Sequence, residues 1–190
     1  MINFDLKKNP SIRLRTSRGF TLLETLVAIS ILMVAIVAPI TIAQRGLSSA
    51  VYSKNQMIAA YLAQDAIEYI KNKRDEVVIK NINNNLDLGW EGLEILNQNG
   101  VSCLGGNYCD IDTITGDLRI FSDNITLEKN DSDFYGHSGD VTNFTRSINV
   151  KLQSVAGITG TTALDQALIT VTVGWGGDND LTVKTLIYNI

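Results

Sequence analysis

The sequence predicts an α+β protein in which one long N-terminal helix packs on a C-terminal antiparallel sheet of three or four strands. The first half of that helix reads as transmembrane and the second half as amphipathic. Three observations lead there. Residues 20–43 (FTLLETLVAISILMVAIVAPITIA) form an apolar run in which Glu24 is the only charged side chain. Residues 44–76 contain no proline, a single glycine at Gly46, and apolar residues at helical spacing. The last third of the chain alternates apolar and polar residues in successive runs, as half-buried strands do.

The elements follow in order. Residues 1–19 hold Lys7, Lys8, Arg13, Arg15 and Arg18 against Asp5, a net charge of +4 in a chain whose total is −4. The remainder therefore carries −8. Such an acidic body speaks against general nucleic-acid binding and leaves a role in DNA uptake open. The 20–43 run is long enough to cross a bilayer core, which takes about 20 apolar residues. The basic leader is expected to stay in the cytoplasm, with everything after the run outside. Pro39 lies inside the run, where it removes a helix hydrogen bond and predicts a kink or loosened turn.

The helix is expected to continue as an amphipathic half over 44–80. Leu47, Val51, Ile58, Leu62, Ala66, Tyr69 and Ile70 share its apolar face, while Lys54, Gln64, Lys71 and Arg74 lie elsewhere. From Phe20 to Arg74 it would run roughly 80 Å at the standard rise. Asn81–Asn85 reads as a helix-breaking tract. Residues 86–116 are rich in Gly and Asn and read as irregular, with one short helix near Trp90–Leu96. Strands are expected at 119–121 paired with 125–127, then at 144–152, 167–175 and 181–188, the last two joined by a Gly176–Asp180 hairpin loop. The organisation is thus a leader (1–19), a membrane helix (20–43), an amphipathic half (44–80) and a globular head (81–190).

Chemistry-bearing residues are sparse. Cys103 and Cys109 are the only cysteines, and a close pair in an exported chain predicts a disulfide worth about 2–3 kcal/mol at most. Asp131-Ser132-Asp133 opens like a calcium loop, but Tyr135 and Thr142 stand at its fifth and twelfth positions, where acidic ligands belong. Asp131, Asp133 and Asp140 remain calcium candidates, with Asp178 and Asp180 as a second pair. No other cofactor is expected. His137 is the only histidine and reads as an exposed loop residue. No nucleophile–base pattern and no phosphate-cradling glycine loop occurs, so an enzyme is not expected.

Glu24 is the informative residue. A carboxylate in a membrane-length apolar run is costly unless something pairs with it. Gly19, just before the run, offers a small residue at which to cut, and a cut there would free an amine on Phe20. A basic leader, then Gly19, then Phe20-Thr21-Leu22-Leu23-Glu24, then an apolar helix resembles a type IV pilin-like precursor. The resemblance covers residues 13–45. It implies cleavage between Gly19 and Phe20 by a prepilin peptidase, which also N-methylates Phe20. It implies that Glu24 pairs with the terminal amine of an adjacent subunit. The implied partners are other pilins or pseudopilins, the peptidase and an inner-membrane assembly platform. The implied location is a single pass through a bacterial inner membrane, then a filament. The implied role is a minor pilin or pseudopilin, a non-enzymatic filament subunit. A signal-anchored envelope binding protein with an uncleaved N-terminus is the competing reading.

Overall fold

The computed structural model describes residues 19–84, 96–153 and 166–188. The basic leader and most of the short helix expected near Trp90–Leu96 lie outside these residues. The chain divides into two compact units, Met1–Ser49 and Ala50–Ile190, and helix α1 (Leu22–Asn84) contributes to both.

In the first unit the helical side chains are exposed throughout. An 18-residue window has a mean hydropathy of 2.7 and no buried residue, so α1 is long and apolar enough to cross a membrane. Three hydroxyls of its apolar run are satisfied within the helix. Thr25, Ser30 and Thr41 donate to the carbonyls of Leu22, Leu26 and Val37 at 2.9, 2.8 and 2.9 Å. Such back-bonding lets polar side chains sit in an apolar helix without outside partners. Pro39 lies inside α1 and does not end it.

The second unit holds the core. After α1 come β1 (Asn97–Gln98), β2 (Val101–Ser102), β3 (Cys109–Ile111), β4 (Leu118–Ile120), β5 (Glu128–Lys129), β6 (Tyr135–Gly136), β7 (Asp140–Val141), β8 (Phe144–Gln153), β9 (Gln166–Trp175) and β10 (Asp180–Tyr188). The main sheet has the order β10-β9-β8-β3-β4 and is antiparallel throughout. A two-stranded sheet pairs β1 with β2, and a three-stranded one runs β6-β5-β7. The β1–β2 turn is Asn99-Gly100, both with positive φ (51° and 81°), the geometry that tight hairpins need.

The α+β class and the helix-on-sheet arrangement agree with the sequence reading. Four details differ. The main sheet has five strands rather than three or four, because β3 arises inside the stretch read as irregular. Three residues are too few to show a period. β4 pairs with β3, not with 125–127; Leu127 instead exchanges backbone hydrogen bonds with Thr142 and Phe144. α1 runs through Asn84, past the expected break. Ion pairs of Glu76 with Lys73 and Lys80 brace its last turns, and a few exposed asparagines cost a helix little.

The buried face of α1 is the fourth difference. It consists of Ala59, Leu62, Ala63, Ala66, Ile67 and Ile70, whereas Leu47 and Val51 are exposed. Leu62, Ala66 and Ile70 are buried as expected, but Ala59, Ala63 and Ile67 were not read, and the packed face is half alanine. These residues meet Ile148, Val150, Ile169, Val171 and Val173, the inward positions of β8 and β9, in one core cluster. Cys109 opposite Ile148 and Leu104 opposite Val150 extend the sheet beyond β8.

Candidate functional site

At the N-terminal end, Gly19 and Phe20 precede the helix and both are exposed. Thr21 is the cap. Its hydroxyl accepts the Glu24 backbone N–H at 3.2 Å, and its carbonyl accepts Thr25 N–H at 3.1 Å. Thr21-Leu22-Leu23-Glu24 has the capping-box pattern, and the Glu24 carboxylate sits in the first turn, where the helix dipole favours a negative charge. Among the described residues no cation pairs with Glu24. The arrangement presents one carboxylate on an exposed apolar helix, a few residues after an accessible Gly19–Phe20 bond.

The head contains a buried ionic cluster that sequence reasoning missed. Asp110 on β3 is 2% exposed and Arg146 on β8 is 1% exposed. Arg146 Nε donates to Asp110 Oδ1 at 2.8 Å. Its other nitrogens reach the carbonyls of Ile111 and Leu62, and Asp65 Oδ2 on α1 at 3.5 Å. The second Asp110 oxygen takes Arg119 Nη2 at 2.9 Å and His137 Nε2 at 3.0 Å. Burial pushes the Asp110 carboxyl up, but Arg146, the His137 hydrogen bond and Arg119 outweigh it and hold the group below the usual carboxylate range. Asp112 is also held low. Burial again opposes, and the backbone N–H groups of His137, Ile114 and Thr115 prevail. Asp65 additionally accepts Thr113 Oγ1 at 2.7 Å. The cluster ties α1, β3, β4, β8 and the His137 loop together. Its carboxylates are occupied, so it acts as a structural tie rather than a reactive centre.

Residues 14–38 match the prokaryotic N-terminal methylation motif. The chain carries a type IV pilin-like prepilin signal. No curated protein and no solved structure matches the chain. The matched segment takes in Gly19, Phe20 and Glu24. The prepilin signal and the apolar, exposed start of α1 together point to membrane anchoring.

Behind the prepilin signal, the other singled-out residues fall in separate places. Cys103 and Cys109 form a disulfide with a Cα–Cα distance of 5.0 Å, and both are buried. Asn149 closes the intervening ring by donating to the carbonyls of Gly105 and Asn107 at 2.8 and 2.6 Å. His137 is not the exposed residue expected of it. It is half-buried and bonded to Asp110, because Gly136 lets the chain lie against Asp112. Asp131, Asp133 and Asp140 are exposed, and Asp133 pairs with Lys129 at 2.7 Å. Among the described residues no three Asp, Glu, His or Cys side chains converge as metal ligands. Asp178 and Asp180 are exposed on the β9–β10 hairpin. One signal could have revealed the missed cluster. In Phe144-Thr145-Arg146-Ser147-Ile148, Arg146 occupies an inward position between Phe144 and Ile148, and a charge there demands a buried partner.

Proposed function

We propose that the chain is a minor pilin or pseudopilin, a structural and non-enzymatic subunit of a type IV pilus-like filament. A prepilin peptidase cuts after Gly19 and methylates the new amine on Phe20. Removal of the charged leader frees the helix to leave the membrane. Glu24 then pairs with the terminal amine of a neighbouring subunit. In a dry bundle such a pair is stronger than in water, although desolvation offsets much of the gain, so its main use is to set register. The observation that carries the reading is the methylation motif lying over an exposed apolar helix with a single carboxylate in its first turn.

The partners are other pilins, the peptidase and the inner-membrane assembly platform. The head faces outward and makes the specific contacts. The test is co-expression with a prepilin peptidase, followed by intact mass. A product that begins at Phe20 and is heavier by one methyl group supports the reading. A chain that keeps its leader, beside a control substrate that is cut, overturns it in favour of a permanent signal anchor.

A further inference from the structure

Between α1 and the turn that joins β5 to β6 lies an open, mainly apolar groove of about 240 Å³. Ile58, Tyr61 and Leu62 line its helical side, and Phe134 and Tyr135 line the other. The turn is built to present Phe134. Asn130 Oδ1 accepts the backbone N–H groups of Ser132 and Phe134, both at 3.0 Å, and Asp133 takes the left-handed conformation at φ 67°. Two large aromatic side chains thus stand open to water, Phe134 at 61% and Tyr61 at 65%. Small-ligand pockets usually hold about 300–1,000 Å³, so this smaller groove suits protein side chains instead.

Its rim is acidic. Asp65 and Asp133 line the groove, and no Lys, Arg or His does. Asp133 is exposed, and its pair with Lys129 is a surface contact of little worth. Asp65 is half exposed. Its Oδ2 takes Thr113 and Arg146, whereas its Oδ1 takes no hydrogen bond among the described residues.

A complementary occupant is apolar and carries an isolated cation. Residues 19–49 of a second copy meet both conditions. All of them are exposed, and Arg45 is the one cation among them. Arg45 has no ion pair among the described residues. Ile42, one turn earlier on the same helix face, is 71% exposed. The spacing matches as well. Ile42 precedes Arg45 by three positions, and Tyr61 and Leu62 precede Asp65 by four and three. Copies anchored in one membrane run parallel, so Ile42 meets Tyr61 and Leu62 when Arg45 meets Asp65. The offset between copies is 20 residues, about 30 Å at the helical rise. We propose that this groove receives α1 of a second copy, with Ile42 in the groove and Arg45 at Asp65 and Asp133. The inference rests on the filament reading above and adds a longer-range contact to it. A Glu24–amine pair needs an offset of only about four residues, so the two contacts engage different neighbours.

The test uses the full chain, expressed as two differently tagged populations with a prepilin peptidase and an assembly platform. Ile42→Cys in one population and Tyr61→Cys in the other are joined by a short bis-maleimide. Cys103 and Cys109 do not compete, because they are bonded to each other. The expected product is a dimer carrying both tags. Ile31→Cys with Tyr61→Cys, 11 residues out of register on the same helix face, should give at least about five-fold less. Arg45→Glu should lower the Ile42–Tyr61 product about five-fold, the worth of roughly one charge contact, and Arg45→Lys should retain it. Arg45 is exposed and remote from the core, so neither change threatens the head. A formaldehyde ladder of the unaltered chain reports assembly separately. A ladder without the Ile42–Tyr61 product, or a product indifferent to Arg45→Glu, overturns this contact and leaves the filament reading standing. Absence of the ladder overturns both.

Discussion

Replacing Asp110 by Ala tests whether the head is held by its buried ionic cluster. The substitution removes the carboxylate that takes Arg146 Nε at 2.8 Å, Arg119 Nη2 at 2.9 Å and His137 Nε2 at 3.0 Å. Arg146 is 1% exposed and cannot turn to water. Its remaining charged partner is Asp65, at 3.5 Å and half exposed. Removing one partner of a buried pair costs about 3–5 kcal/mol, mostly from the charge left behind. That is a large part of the roughly 5–15 kcal/mol that stabilises a typical domain. With a urea slope of about 2 kcal/mol per molar, the unfolding midpoint should fall by about 1.5–2.5 M. Tryptophan fluorescence reads it, since Trp175 is buried against Tyr52 with ring centroids 5.8 Å apart. The double change Asp110→Leu with Arg146→Met should recover much of the loss, because it leaves no unpaired charge. A loss below about 1 kcal/mol in Asp110→Ala would refute the argument, since that is the range of exposed pairs.

Acid should weaken the head through Asp110 and Asp112. Both carboxyls are lowered on folding, so their contribution is complete above the unfolded value of about 3.9 and is lost as pH falls through the lowered values. The urea midpoint should hold near neutrality and drop below about pH 4, with Asp112→Asn flattening that drop. Changing Cys103 and Cys109 both to Ser should cost about 2 kcal/mol, the value for so short a ring, read by the same titration. Gly139→Ala should cost about 1–3 kcal/mol, because φ is +136° there and the new Cβ would press on the Lys129 carbonyl. Glu24→Gln keeps the cap made by Thr21 and removes the charge, so leader cleavage should persist while cross-linked oligomers disappear; oligomers at the wild-type level would exclude charge pairing.

The parts of this molecule written in period and composition were legible in the sequence. The apolar run, the strands β8, β9 and β10 and the hairpin at Gly176 repeat a pattern long enough to read. The prepilin signal was legible for another reason: its residue types stand in a fixed order at fixed spacing. Short elements were not legible, since β3 and β1 carry no period of their own. Ala66 was read on the apolar face of α1, but Ala59 and Ala63 were missed because spacing reports which residues are apolar, not how closely the sheet approaches. Ala59, Ala63 and Ala66 are fully buried because they permit that approach. The Asp110–Arg146 pair joins residues separated by 36 positions, and only the register of β3 against β8 brings them together.

The two units differ in where their polar and apolar groups find partners, and that difference separates structure from function. Within the head, among the described residues, no side-chain nitrogen or oxygen fully withdrawn from solvent lacks a hydrogen bond. Asp110, Asp112 and Arg146 are saturated by protein groups, so their chemistry is spent on holding the fold. The first unit inverts this. Its apolar side chains, from Leu22 to Ile42, are exposed to a degree that water does not tolerate over so long a stretch, and Glu24 has only its own helix end for company. Those surfaces are incomplete without a second phase or a second molecule. A bilayer completes the apolar part but leaves the carboxylate without a counter-charge, whereas a bundle of like helices, each with a freed amine near its glutamate, completes both. The requirement falls on the same residues that carry the methylation motif, so the proposed filament mechanism draws support from both.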